Sequence, residues 1–185
     1  WITINYRESY NLFACNGILF NHESPLRGET FVTKKIIKGL CNIKYKKQKK
    51  LFLGNLNSKR DWGHAEDYVK AMWKILQQKK PEDYVIATGK TTSVRDFVNQ
   101  CCKYLNLKII WSGNGVNEKG YLVKNKKKEL IIKVDKNYYR PLEIDYLKGD
   151  PRKAFKKLNY KLKHNLMDLV KDMLDADINL FKKKI

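Results

Sequence analysis

The sequence predicts an α/β fold, and three observations carry the prediction. Short apolar runs of strand type, at residues 51–53 (LFL), 83–88 (DYVIAT) and 107–111, alternate with stretches whose apolar residues recur at helical spacing. Gly54-Asn55 and Gly89 stand at the ends of two of these runs as stops. The chain has 185 residues, 43% hydrophobic and 31% charged, enough for one core, and no internal repeat or domain-scale linker divides it. Strands alternating with helices argue layers around a mostly parallel sheet.

Each element has its own signal. Residues 1–10 read as the end of a helix, with Ile4 on the face of Trp1 and no start signal before it. There is no initiator Met, so a fragment of a longer protein is expected. Residues 11–20 form a mostly apolar strand candidate, and 21–29 a polar loop. Thr30 is placed to cap a helix with Phe31, Ile36, Leu40 and Ile43 inward. After the strand at 51–53 comes NSKRDWGH, residues 57–64, and then a helix whose apolar face is Ala65, Val69, Met72, Trp73 and Leu76. Ser93 with Asp96 has the form of a capping box, ahead of a stripe of Val94, Phe97, Val98, Cys101 and Leu105. Residues 113–120 read as a loop, and 122–134 as a hairpin turning at Lys124-Asn125-Lys126. Asp150-Pro151 starts a short helix with Ala154, Phe155 and Leu158 inward. Asn165 caps a last helix with Leu166, Leu169, Val170 and Met173 inward, and the tail LFKKKI reads as frayed.

Composition excludes several classes. No run of about 18 apolar residues and no signal-peptide pattern is present, so no membrane role is expected. Cys15, Cys41, Cys101 and Cys102 form no C-x-x-C pair and read as reduced core residues of a cytoplasmic protein. The net charge of +20 would suit nucleic acid, but it is nearly all Lys, spread over helix faces, loops and tail without interleaved aromatics. It reads as solvated surface, with no nucleic acid as partner. Arg occurs only at positions 7, 27, 60, 95, 140 and 152, and Arg27, Arg60 and Arg140 fall in turn-rich stretches where a planar fork could meet phosphate.

In open α/β proteins ligands sit where strands end and helices begin, which singles out residues 57–64. Arg60 can hold a phosphate there. Equally, Asp61 can cap the following helix and pair with Arg60 while Trp62 packs. No metal site is read: His22, His64 and His164 are scattered, with no Cys or carboxylate at ligand spacing. No dinucleotide fingerprint is present either, since Gly113-Asn114-Gly115 lacks the third glycine.

Three strings then narrow the reading: NLFACNGILFNHESP at 11–25, KRDWGHAEDYV at 59–69 and YYRPLEIDYLKGDP at 138–151. In this order and spacing they resemble GDP-mannose 4,6-dehydratases, extended members of the short-chain dehydrogenase/reductase superfamily, from position 1 to about 173. The resemblance implies the C-terminal part of an NAD(P)-binding Rossmann-like fold together with the smaller α/β substrate-binding domain. Residues 1–185 would be a single fragment mixing remnants of both. It implies conversion of GDP-mannose to GDP-4-keto-6-deoxymannose with NADP, in GDP-fucose or GDP-rhamnose biosynthesis, by a homo-oligomer (dimer or tetramer) when intact. The family's glycine-rich turn, its Thr and Glu and its Tyr-x-x-x-Lys pair fall upstream of Trp1, so no catalytic residue is expected in this chain and no turnover by it alone.

By the same resemblance His22 and Arg27 contact NADP, and Asn16, Val32, Lys35, Arg60, Arg140 and Glu143 contact the sugar nucleotide. Leu26 departs from the family's usual basic residue. Asn159, Tyr160 and Leu162 stand where Gly, Trp and Pro are usual. Competing readings are another sugar-nucleotide dehydratase, epimerase or reductase, a basic nucleic-acid-binding module, and a pseudo-domain that binds nothing.

Overall fold

A computed structural model describes residues 1–139 and 144–182. Helix α1 (Ile2–Tyr10) comes first, then strands β1 (Gly17–Leu19) and β2 (Asn21–Glu23), helix α2 (Val32–Lys44) and strands β3 (Leu51–Leu53), β4 (Lys59–Arg60) and β5 (Trp62–His64). Helix α3 (Ala65–Leu76) leads to β6 (Tyr84–Ile86) and β7 (Thr92–Ser93), and α4 (Val94–Tyr104) to β8 (Ile109–Ser112), β9 (Lys119–Lys124) and β10 (Lys127–Val134). Strand β11 (Tyr146–Leu147) and helices α5 (Arg152–Lys157) and α6 (Leu166–Lys182) follow.

The strands pair as β1 with β6, β2 with β5, β11 with β4, and β10 with β3, all parallel. The largest sheet, ordered β3-β10-β9-β8, is otherwise antiparallel, and β4 also pairs antiparallel with β7, so the expectation of a mostly parallel sheet is met only in part. The hairpin turns where expected: Asn125 (φ 49°) and Lys126 (φ 62°) both take the left-handed backbone that a two-residue turn needs.

Two apolar clusters hold the described residues together. The larger packs α2, α4 and α6 on the four-stranded sheet, with Ile36, Leu40, Phe97, Ile132, Val170 and Met173 buried. The smaller joins α3, β6 and α5 through Tyr68, Ala71, Ile75, Tyr84, Ala154 and Tyr160. Ser93 accepts from the Asp96 N–H, and Asn165 Oδ1 from those of Met167 and Asp168, so both caps form as read.

Four expectations are corrected. Helix α2 starts at Val32 with Phe31, not Thr30, at its cap position and no side-chain cap bond, and Phe31 is exposed. The strand expected over 11–20 is confined to β1 and is resumed by β2, with residues 11–16 irregular. Helix α3 turns the opposite way: Val69, Met72, Trp73 and Leu76 are exposed, and Asp67, Tyr68, Ala71 and Ile75 are buried. Gly63 is the reason on the Tyr68 side, since a Cβ there would lie 2.4 Å from the Tyr68 ring, and its absence admits that ring over β5. Finally, Leu180 and Phe181 belong to α6, and Phe181 stacks on Tyr45 with ring centroids 4.9 Å apart.

Two departures from the family pattern are absorbed. Asn159 takes φ 44°, a left-handed conformation that asparagine tolerates. Tyr160 is buried and its hydroxyl donates to the Asp67 carbonyl at 3.0 Å.

Candidate functional site

The site grows from the end of β3. Gly54 lets the backbone of residue 138 approach closely, since a Cβ at 54 would lie 2.3 Å from the Tyr138 carbonyl oxygen. The Tyr138 ring then meets α2, with Lys35 Nζ 3.3 Å from its centroid. Between these elements opens a cavity of about 460 Å³, lined by Val32, Lys35, Asn55, Ser58, Arg60 and Tyr138. Val32 is the first residue of α2, whose uncapped first turn brings N–H groups and the positive end of the helix dipole to this wall. The Ser58 hydroxyl is buried here and has no partner among the described residues. Arg60 Nη1 donates to the Lys59 carbonyl at 3.0 Å. Of the residues expected at the substrate, Val32, Lys35 and Arg60 converge, while Arg140 and Glu143 lie outside the described residues.

A second cavity of about 400 Å³ is lined by Leu19, Phe20, Asn21, His22, Arg27 and Leu147. His22 Nδ1–H donates to the Phe20 carbonyl at 2.8 Å, which leaves Nε2 as the acceptor, and its ring lies 5.0 Å from that of Tyr68. The Arg27 guanidinium lies over the Phe31 ring at 3.4 Å, with Nε 3.0 Å from Glu23 Oε2. That contact is an ion pair without hydrogen-bond geometry, and Arg27 Nε is otherwise buried without a partner. Burial pushes the Glu23 carboxyl above its ordinary range, against the Thr33 hydrogen bond (2.6 Å) and the Arg27 charge.

His22 and Arg27 are thus brought together, while Asn16, expected at the sugar nucleotide, lines neither cavity. It precedes β1, at the far end of that strand from His22, and its N–H and Nδ2 both donate to Asp83 Oδ1 at 2.8 and 3.1 Å. Asn21, which the sequence reading passed over, lines the cavity with a buried Oδ1 that has no partner among the described residues. Its signal was its place directly before His22, where the apolar run ends.

Asp61 is not the cap of α3. That role belongs to His64, whose Nδ1 accepts from the Glu66 N–H at 3.2 Å. Asp61 is fully buried and accepts from Thr88, Gly89 and Gly149. Arg95 spends its fork on a structural partner, Glu118, through two 2.6 Å bonds, so scarcity of Arg does not by itself mark a phosphate site. A further cavity of about 590 Å³, with Trp62, Thr92, Gln100, Leu162 and His164 on its wall, holds none of the residues expected to bind ligand. Three of the four cysteines are buried and all are free, and burial pushes Cys41 and Cys102 up to about 12, which makes them inert. Among the described residues no helix is long and apolar enough to cross a membrane.

Comparison with known proteins adds the following. Residues 1–173 match the family model described as GDP-mannose 4,6 dehydratase. The GDP-mannose 4,6 dehydratase of Drosophila melanogaster is 53% identical over 183 residues, 99% of this chain and 46% of that protein. That of Dictyostelium discoideum is 53% identical over 182 residues, 98% and 51%, and that of Homo sapiens 50% over 182 residues, 98% and 48%. The chain therefore spans about half the length of these relatives. Among solved structures, RMD from Pseudomonas aeruginosa complexed with NADPH superposes with a TM-score of 0.76 at 14% identity, over 96% of this chain and 52% of that one. The UDP-glucuronic acid 4-epimerase from Bacillus cereus, in complex with UDP-glucuronic acid and NAD, gives 0.73 at 16% identity, over 97% and 49%.

Proposed function

Because the chain belongs to the GDP-mannose 4,6-dehydratase family, we propose that it is the sugar-nucleotide-binding portion of an NADP-dependent enzyme converting GDP-mannose to GDP-4-keto-6-deoxymannose. The observation that carries this reading is the convergence of Val32, Lys35 and Arg60 on one cavity at the uncapped start of α2. A diphosphate there meets a point charge, a guanidinium and the first-turn N–H groups of α2 from three directions. Arg140 and Glu143 complete the proposed substrate set, with Glu143 accepting from guanine or ribose. Asn16, the remaining residue expected at the substrate, has its amide committed to Asp83.

NADP fits the second cavity, where the buried Asn21 Oδ1 lacks a partner and His22 and Arg27 stand together. His22 and Arg27 would hold it, and the bound cofactor supplies hydride acceptance and return. Arg27 contributes there through the edge not turned to Glu23, so its charge serves both the buried carboxylate and the ligand. The proposed setting is a cytoplasmic homo-oligomer.

Calorimetric titration of GDP, UDP and NADP into the purified chain tests the reading. GDP is expected to bind one to one and more tightly than UDP. Arg60→Lys, which keeps the charge and removes the fork, is expected to weaken GDP roughly tenfold, about 1.4 kcal/mol, and to leave NADP unchanged. Equal affinity for GDP and UDP favours another sugar-nucleotide enzyme, and a loss confined to NADP assigns the two cavities the wrong way round.

A further inference from the structure

The structure brings His64 and His164, a hundred positions apart, into stacked contact, with ring centroids 4.1 Å apart and planes at 23°. Glu66 joins them, and one ligand-type atom from each of the three residues lies within 4.8 Å of the others. We propose that these three residues form a binding site for a borderline divalent cation of the zinc type, fastening the start of α3 to the segment that leads into α6.

Proton placement supports this. His64 Nδ1 accepts the Glu66 N–H at 3.2 Å, so it carries the lone pair, and Nε2–H donates to Asp172 Oδ2 at 3.1 Å. Asp67 is fully buried and its carboxylate already accepts the Lys163 and His164 backbone N–H groups at 3.0 Å each. His164 Nδ1, 3.3 Å from Asp67 Oδ2, is therefore the donor, and in the neutral ring Nε2, 3.7 Å from Glu66 Oε2, carries the lone pair. Each imidazole gives its N–H to a carboxylate and offers its other nitrogen beside Glu66. Carboxylates that orient the imidazole ligands of zinc do the same. Two imidazoles and a carboxylate are a donor set suited to Zn(II), with solvent for the remaining position.

Closing the site asks for modest movements. The near-parallel rings must turn so that their lone pairs converge, and His64 must release the Glu66 N–H. Lys163 Nζ, 3.4 Å from the other Glu66 oxygen, is on an exposed side chain and can swing into solvent. The site shares no residue with the two cavities assigned to sugar nucleotide and cofactor, so it does not depend on that reading.

The test is titration of metal-free chain with Zn(II) by calorimetry and with Co(II) by visible absorption. One equivalent is expected, with the intense d–d bands of four-coordinate cobalt and a melting temperature raised by Zn(II) and restored by EDTA. Glu66→Gln and His164→Gln are each expected to weaken binding tenfold or more. Glu66 is exposed, so its variant keeps the test decisive should His164→Gln misfold. Binding that neither substitution changes, weak multi-site binding only, or cobalt spectra of the six-coordinate hydrated ion would overturn the proposal.

Discussion

Asp61 and Thr88 are joined by two hydrogen bonds across 27 positions: Asp61 Oδ1 accepts the Thr88 backbone N–H at 2.8 Å and its hydroxyl at 2.6 Å. The other oxygen accepts the N–H groups of Gly89 at 2.9 Å and Gly149 at 3.3 Å. One buried carboxylate thus ties together the turn before β5, the end of β6 and the chain ahead of α5. Gly149 fits because it has no side chain, as a Cβ there would lie 2.2 Å from that of Ala87.

Asp61→Asn is expected to destabilise the chain by about 3 kcal/mol or more, because the new amide turns a donor toward one of two donor pairs and hydrogen bonds to a charged acceptor are worth about 1.5–3 kcal/mol each. Urea unfolding with an unchanged slope would measure it. A loss under about 1 kcal/mol would show that the three segments hold without the clamp.

Glu23 and Asp83 should give opposite pH dependences. Glu23 is raised by burial above its ordinary value of 4.5, so its contribution is fully present below that pH and is lost as pH rises through the raised value. For Asp83 burial pulls upward, but the Asn16 N–H and the Arg7 guanidinium outweigh it and hold the carboxyl below its ordinary 3.8. Its contribution is present above 3.8 and is lost as pH falls through the lowered value. Melting temperatures against pH should therefore show the gap between wild type and Glu23→Gln shifting above pH 4.5 in favour of the variant. The gap to Asp83→Asn should close only in acid. Parallel curves would refute both assignments.

Exposed apolar groups predict self-association. Helix α1 buries no residue, Ile18 on β1 is 53% exposed, and Trp73 on α3 is 62% exposed. Among the described residues β1 pairs with β6 alone. Sedimentation velocity is expected to show association that rises with concentration and falls in an Ile18→Lys, Trp73→Lys double variant. A monodisperse monomer at all concentrations would contradict it.

Local rules carried much of the fold. The caps at Ser93 and Asn165 and the turn at Asn125-Lys126 rest on short-range bonds that the sequence states outright. Helix α3 shows where such rules stop. Its richer apolar stripe faces outward because the orientation is set by Tyr68 lying over Gly63 and by Asp67 meeting N–H groups nearly a hundred positions away. Periodicity finds stripes but does not say which one the sheet receives. The site was legible in the same uneven way. Arg60 was singled out by its place after a strand and Lys35 by the family words, and both line one cavity, whereas the His64–His164 contact spans too much chain for spacing to reveal it.

The β8–β9–β10 meander has a consequence for the order of assembly. It is contiguous, from Ile109 to Val134, and closes through a two-residue turn, so it needs no distant segment to form. Each parallel pair, by contrast, must first close a long loop, Ile132 to Leu51 and Gly17 to Tyr84 among them. The meander is the natural first structure in time, and β10 then serves as the template on which β3 is laid. Pulsed hydrogen exchange during refolding should protect the amides of β9 and β10 before those of β1 and β6, and simultaneous protection would deny the meander that priority.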